Sequence, residues 1–450
     1  MLTAVAAGQD AWFTEWRRLE LARVDRAGLT YLDYGGAALY PSSLLRADLA
    51  RLDDAVLGNP HSEHAASRDA TADLAAARSA VLDFLHADPR EYGVIFAANA
   101  SAACRLVGEA YPFDRESPLV VTADNHNSVN GLREFAKRRG ATVALVPLDE
   151  ELRLRDAVEV LAREGAGYGG LFAFPAQSNF SGVRHSLDLI DIAQELGYRV
   201  LLDAAAYLPT MPLDLTQLHP DFVVLSIYKI AGYPNGVGAL VARHDALAVL
   251  RRPWFAGGTV EWVSTASGTS RLRAGVDAFE DGTVPFLSVG AVPAALALVH
   301  EIQPRLREQL TALTDLLLSS LGKLRHQNGA PMVTIHGPTD TIDRGATVAF
   351  TVLDPAGKEV PFGAVERRAS DARLALRGGC FCNPGCAERA LDFPVDAASR
   401  FEALGGSFNY AEAARALGRP SVGALRVSLG LGSVQRDVDR LLEFLRSTGA

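Results

Sequence analysis

Lysine is nearly missing from this chain. Only Lys137, Lys229, Lys323 and Lys358 occur among 44 basic residues, so arginine carries almost all the positive charge. Cysteine is sparse too, with four in 450 residues, and three of them, Cys380, Cys382 and Cys386, fall in one short stretch. So low a count excludes a disulfide framework in a chain this long, and the clustered trio reads as catalytic or metal-binding. No long apolar run goes unbroken by Arg, Asp or Gly, which argues against a membrane span. Positive charge is not in excess either. A formal net charge of −9, with both signs mixed along the chain, argues against nucleic acid or an anionic membrane as the main partner. The first ten residues lack a basic segment and an extended apolar core, so no secretory leader is expected and the cytoplasm is. What remains is ordinary globular composition, 48% hydrophobic and 22% charged, with length for two or three domains.

From about residue 94 to residue 241, short apolar runs alternate with amphipathic stretches. Val94–Ala97, Leu119–Thr122, Thr142–Val146, Gly170–Phe174, Arg199–Asp203, Asp221–Ser226 and Gly236–Val241 read as strands. Helical patterns over Ser101–Glu109, Ser128–Arg138, Leu152–Arg163 and Ser186–Leu196 separate them. Strands this apolar imply an α/β fold with a mostly parallel sheet covered on both faces, whose chemistry sits in the loops beyond the strand ends. A long helical pattern over 286–324 leads into a smaller α+β part. The expected division is a large domain over 27–290 and a small domain formed by 1–26 and 291–450, carrying the cysteine stretch.

The run Val223–Ser226, followed by Ile227-Tyr228-Lys229 and then Gly232, delivers one of the four lysines to the end of a buried strand. A desolvated lysine loses its proton more easily, and a neutral amine can form a Schiff base with an aldehyde. A snorkelling lysine at a strand end is the bland alternative. Asp203 ends the apolar strand Arg199–Asp203. A carboxylate there needs a positive partner, which a pyridinium N–H would supply, although a helix N-cap is the commoner use. Asn99-Ala100-Ser101 follows a strand and opens a helix, a place that suits a phosphate. Asn125-His126-Asn127-Ser128 follows another strand, and its imidazole could stack on a flat ring. Ser178-Asn179 offers an amide to a ring oxygen. The stretch Arg377–Cys386 has C-x-C-x₃-C spacing; no histidine follows His336 and no fourth cysteine is near, which weakens a zinc site. A mobile thiolate that attacks a bound substrate is the other possibility. Arg426, on the apolar run Ala424–Ser428, suits a bidentate clamp on a carboxylate, or a satisfied buried ion pair.

Taken together, these segments resemble the fold-type I, class V pyridoxal-phosphate enzymes, and among them the cysteine desulfurases, nearest the N-terminal desulfurase domain of molybdenum cofactor sulfurases. The marks are Tyr31–Ala37, Gly58–Ser62, Pro175–Gly182, Ser226–Lys229, Phe279–Thr283 and Gly379–Asn383. The resemblance implies pyridoxal 5'-phosphate bound through Lys229, with Asp203 at the ring nitrogen, His126 stacked on the ring and Asn179 at its hydroxyl. Ala100, Ser101 and Ser226 would hold the phosphate, and Thr283 would reach the phosphate of a neighbouring subunit in a homodimer. It further implies Cys382 as the sulfur-accepting thiol, Gly36 and Arg426 as substrate-binding residues, and L-cysteine as substrate. A sulfur acceptor would follow: molybdenum cofactor, a carrier protein or a pathway intermediate. Two positions depart from the pattern: Ala206 stands where desulfurases often have Gln, and Tyr228 where many have His. Cys380 and Cys386 are auxiliary at best.

Two rival readings have their own signatures. A C–S or selenocysteine lyase would use the same cofactor without a catalytic thiol and release pyruvate rather than alanine. An idle scaffold acting only through its interfaces would have no use for Lys229, Asp203 and Cys382 together.

Overall fold

The computed structural model describes residues 4–164, 169–406 and 408–448. Seven strands form its larger sheet: β1 (Tyr92–Ala97), β2 (Leu119–Thr122), β3 (Val143–Val146), β4 (Leu171–Pro175), β5 (Arg199–Asp203), β6 (Phe222–Ser226) and β7 (Gly238–Arg243). Their order is β1-β7-β6-β5-β4-β2-β3. Neighbours from β6 to β3 run parallel, and β7 runs antiparallel to both strands beside it. The alternation of side chains explains why these runs are apolar throughout. Val223 and Leu225 face one core, with Leu74, Ala77 and Val81 of the helix Ala65–Phe84. Phe222 and Val224 face the other, with Ala103 and Val107.

Four helices matter for the site: α1 (Ala4–Glu20), α2 (Ala100–Ala110), α3 (Val292–Leu321) and α4 (Pro384–Ala390). By length and composition alone the stretch Phe286–Leu321 is apolar enough to cross a membrane, contrary to the sequence expectation. Its apolar face is instead packed: Val292, Leu296 and Val299 join the core of the larger sheet, and Leu306, Leu310, Leu313 and Leu317 join a second core. That second core lies against a four-stranded antiparallel sheet of β8 (Val333–His336), β9 (Thr347–Val352), β10 (Arg377–Gly379) and β11 (Ala424–Ser428), ordered β8-β9-β11-β10. Phe13 of α1 is buried in the same core.

Three local results differ from the sequence expectation. The cysteine stretch begins as a strand: in β10, Arg377 pairs with Arg426, Gly378 with Leu425 and Gly379 with Ala424. A hairpin of Val260–Ser264 and Thr269–Leu272 carries no apolar alternation strong enough to announce it, and its residues are largely exposed. Finally, β6 does not lead straight into a glycine turn; one helical turn, Ile227–Ile230, comes first and carries Lys229.

Register brings the strand ends together. Pro175 lies beside Asp203, and Asp203 beside Val224, so β6 projects two residues beyond its neighbour before Lys229 follows. The loop before residue 40 closes over this end. Ala38 N–H donates to the Tyr228 carbonyl at 3.2 Å. Gly232, at φ 76, sits where any side chain would collide with the Tyr40 backbone nitrogen.

Candidate active site

Lys229 lines a cavity whose walls also include Tyr34, Asn179, Ala206, Thr210 and Ser428. Burial pushes its ammonium below the usual lysine range. Asp203 and the Cys382 thiol work against that push, and the guanidinium groups of Arg426 and Arg377 add to it. Those four groups therefore act on one amine, although they lie up to 223 residues apart in sequence (426 − 203).

Asp203 is 8% exposed, and one carboxylate oxygen accepts the Ala205 N–H at 2.9 Å. The turn-capping role and an electrostatic role toward Lys229 are thus both met by one side chain. His126 caps the short helix Asn127–Asn130. Its Nδ1 accepts from Ser128 N–H at 3.1 Å and lies 2.9 Å from Ser128 Oγ. With Nδ1 accepting, the neutral ring carries its proton on Nε2. Burial, and then Lys229, depress the His126 pKa, which favours that neutral form, while Asp203 opposes them.

The N-terminus of α2 joins the same end of the sheet. Asn99 Oδ1 takes the Ala102 N–H at 3.0 Å, and Ala100 N–H donates to Ser226 Oγ at 2.9 Å. Ser101 Oγ lies 2.5 Å from Ser128 Oγ. Hydroxyls from β6, α2 and the short helix Asn127–Asn130 thus gather at a helix N-terminus, whose dipole favours an anion. Thr283 lies elsewhere, exposed, with its hydroxyl accepting from Asn59 Nδ2 at 3.2 Å.

The cysteine loop folds down against this site and is held at several points. Asn127 N–H donates to the Cys382 carbonyl at 2.7 Å. Asn179 Nδ2 donates to the Phe381 carbonyl at 2.8 Å, and Asn179 Oδ1 accepts from Asn383 Nδ2 at 2.9 Å. Both ends of the Asn179 amide are therefore occupied by the loop, a role the sequence did not announce. Phe381 packs on Phe180 with ring centroids 5.2 Å apart. Phe381 and Cys382 have φ 57° and 56°, two consecutive non-glycine residues in the left-handed region. The thiols differ sharply: Cys382 is exposed, Cys380 is half-buried with Sγ 3.8 Å from Tyr410 Oη, and Cys386 is buried 3.6 Å from Ser178 Oγ. Burial raises the Cys386 pKa well above the usual thiol value, so it is a poor nucleophile.

Arg426 is 2% exposed. It donates to Asp33 at 2.8 Å and to the Asn179 carbonyl at 3.0 Å, and its guanidinium lies 4.7 Å from the Phe381 ring centre. Its Nε has no hydrogen-bond partner among the described residues. Arg377 grips Asp33 with both Nε and Nη2, at 3.0 and 2.5 Å. Gly35 and Gly36 leave room for these guanidinium groups; a side chain at Gly36 would sit 2.5 Å from the Asp33 carboxylate and 2.7 Å from Arg377.

A buried amine, a carboxylate on the adjacent strand, a fixed imidazole and a polar helix N-terminus form a donor set for a flat, phosphorylated, aldehyde-bearing aromatic. A model of the aminotransferase class-V family matches residues 30–441. The chain belongs to that family. Among curated proteins, the molybdenum cofactor sulfurase of Arabidopsis thaliana is 34% identical over 97% of this chain and 58% of its own length. That of Solanum lycopersicum is 35% identical over 96% of this chain and 56% of its own. The chain thus spans little more than half the length of these relatives. Solved structures agree on the fold. An apo cysteine desulfurase from Thermococcus onnurineus NA1 superposes with a TM-score of 0.78 at 23% identity, covering 96% of this chain and 97% of its own. A cysteine desulfurase from Escherichia coli reaches 0.73 at 22% identity, covering 97% and 98%. The fold is therefore the α/β, fold-type I architecture that the resemblance implied.

Within this class-V chain, the structure adds three residues that sequence reasoning left without a role: Asp33, Arg377 and Asn383. Asp33 and Arg377 lie inside stretches already singled out, but only the pairing of β10 with β11 shows that Arg377 and Arg426 share one carboxylate. Gln177 is a fourth. Its Nε2 donates to the Ala206 carbonyl at 2.9 Å, so a glutamine amide borders the position where desulfurases often have one.

Proposed function

We propose that this chain is a pyridoxal-phosphate-dependent cysteine desulfurase that converts L-cysteine to L-alanine and keeps the sulfur as a persulfide on Cys382. The observation that carries the reading is the convergence of Asp203, Arg426 and an exposed Cys382 thiol on the buried amine of Lys229. Class-V membership supports the cofactor, and Lys229, Asp203, His126, Ser226, Ala100 and Ser101 are the residues that would hold it. When bound, the cofactor supplies an electron sink for the substrate's α-carbon.

The rest follows from this chain's own groups. Arg426 binds the substrate carboxylate in place of Asp33, which keeps its pairing with Arg377. The amine of Lys229, eased toward its neutral form by burial, takes the α-proton. Asp203 keeps a positive partner across the strand ends. The Cys382 thiolate attacks the substrate Sγ. The new S–S bond forms as the Cβ–Sγ bond breaks, and the pair from that bond stays on the three-carbon product, which takes a proton at Cβ, regains at Cα the one that Lys229 removed, and leaves as alanine. Asn179 and Asn383 hold the loop that presents the thiol.

The working unit is a homodimer in which Thr283 serves the neighbouring site; its exposure fits that use, as does the exposure of Trp254, Phe255 and Trp262 on nearby segments. The names of the curated relatives support molybdenum cofactor, or a carrier that feeds it, as the sulfur acceptor. Incubation with L-cysteine, followed by amino-acid analysis and peptide mass mapping, tests the reading. Alanine with added sulfur on the Cys382 peptide supports it. Pyruvate as the main product, unchanged in Cys382→Ala, would replace it with β-elimination.

A further inference from the structure

We propose that the cleft beside Thr210, behind the active-site wall, binds a tetrahedral oxyanion of the phosphate or sulfate type through Arg184, Arg307 and the Thr210 hydroxyl. The cleft holds about 290 Å³, counting its open mouth, and its lining includes Arg184, Thr210, Arg307, Thr314, Arg344 and Gly345. Thr210 and Ala346 also line the Lys229 cavity, so the two spaces share a wall.

Three guanidinium groups meet here and, among the described residues, none forms an ion pair. Asp343 and Asp340 act on Arg184 and Arg344 only at longer range. Burial is the main cause that lowers the pKa of Arg184, and the neighbouring charge of Arg307 adds to it. Like charges held together without a counter-ion are unfavourable unless something anionic joins them.

A donor inventory points to a ligand. Arg344 is 4% exposed and turns its N–H groups to carbonyls, those of Ser181, Pro338 and Thr347 among them, so it contributes charge alone. Thr311 and Thr314 donate to carbonyls of α3 at 2.9 and 2.6 Å. Arg184 uses Nε on Gln177, at 3.0 Å, and keeps its terminal nitrogens. Arg307, exposed on α3, keeps all of its own free of hydrogen bonds and ion pairs among the described residues. The Thr210 hydroxyl is the telling group. It is buried, at 8% exposure, and has no hydrogen-bond partner among the described residues. Such a group is an exception that calls for a cause.

The donors come from three segments: the loop after β4, the turn after β5, and α3. Two guanidinium groups and a hydroxyl offer more donors than the two oxygens of a carboxylate can use, which suits the four oxygens of phosphate or sulfate. The space is too small for a nucleotide.

The test titrates the full chain, as purified, with sodium phosphate, sodium sulfate and phenyl phosphate at constant ionic strength, followed by calorimetry and by thermal melting. Expected is saturable binding of one ion per chain with a raised melting temperature. Arg307→Gln, at an exposed position, weakens it by on the order of tenfold, and the near-isosteric Thr210→Val also weakens it. Tighter binding of the inorganic ions identifies a free ion as the ligand; tighter binding of phenyl phosphate identifies the terminal phosphoryl group of a larger molecule. Absence of saturable binding at millimolar concentrations overturns the proposal, as does binding that persists unchanged in both variants.

Discussion

Asp33 and Arg426 lie 393 residues apart in sequence and 2.8 Å apart in space. The same carboxylate also holds Arg377, which stands directly opposite Arg426 on the neighbouring strand. One acid thus neutralises two facing guanidinium groups that both act on the Lys229 amine. Asp33→Asn keeps the shape and removes the charge, leaving like charges across a strand pair. Because the Arg377 side chain is 50% exposed, the loss is expected below the full cost of breaking a buried pair, at about 1–3 kcal/mol. Denaturant unfolding measures it, and an unchanged midpoint would sink the idea. Arg426→Lys is expected to raise the KM for L-cysteine by on the order of tenfold with a smaller change in kcat, since an ammonium cannot clamp a carboxylate bidentately.

Lys229→Ala is expected to lower alanine formation by roughly 10²–10⁴-fold, the usual worth of a positioned base. Borohydride should fix the cofactor to the parent chain, with the label on the Lys229 peptide, and should fix none to the variant.

The same lysine sets a pH dependence in the cofactor-free protein. Burial holds its folded pKa below the ordinary lysine value of 10.5, so between those two values the unfolded chain binds more protons. Stability therefore rises with pH through that window, and the cost of the buried charge is fully felt below it. Lys229→Met is expected to flatten this slope in melts of the apo-protein. A slope that persists unchanged assigns the effect to another group.

His336 contributes to the acid side. It is buried on β8, with Nε2 2.8 Å from Thr351 Oγ1, and burial lowers its pKa to about 4. An unfolded histidine titrates near 6.5, so the unfolded state takes up the proton first. Stability is expected to fall as pH drops from about 6.5 to about 4, by at most one proton's slope from this residue. His336→Gln should remove that part of the fall.

Asn383 is fully buried and ties the cysteine loop to Asp124 and Asn179 while accepting from Cys386 N–H at 3.2 Å. Asn383→Ala leaves those partners unmet. A loss of about 1–3 kcal/mol is expected, together with faster proteolysis within residues 380–386. Equal protease resistance in the two proteins would show that the loop is held elsewhere.

The strand ends were legible because burial writes itself into composition. Runs such as Val223–Ser226 and Arg199–Asp203 have to be apolar on both faces, so the ionisable residues that end or follow them stand out. Contacts between distant segments leave no such trace. Nothing local in Tyr31-Leu32-Asp33 says that its acid meets Arg426, and nothing in Ser178-Asn179 says that the amide turns to the cysteine loop. Arg377–Gly379 reads as a flexible approach to the thiols because two glycines follow the arginine, yet pairing with β11 makes it a strand. Arg184 and Thr210 carry no motif at all, and only the fold brings them to one cleft.

The left-handed geometry of Phe381 and Cys382 gives the thiol loop a spring as well as a latch. Each residue sits in a conformation that a side chain disfavours by roughly 1–2 kcal/mol, so rotation back to ordinary backbone angles offsets the few hydrogen bonds that an outward swing would break. On the proposed function, the arm that takes up the sulfur therefore leaves its cradle by a change confined to two residues.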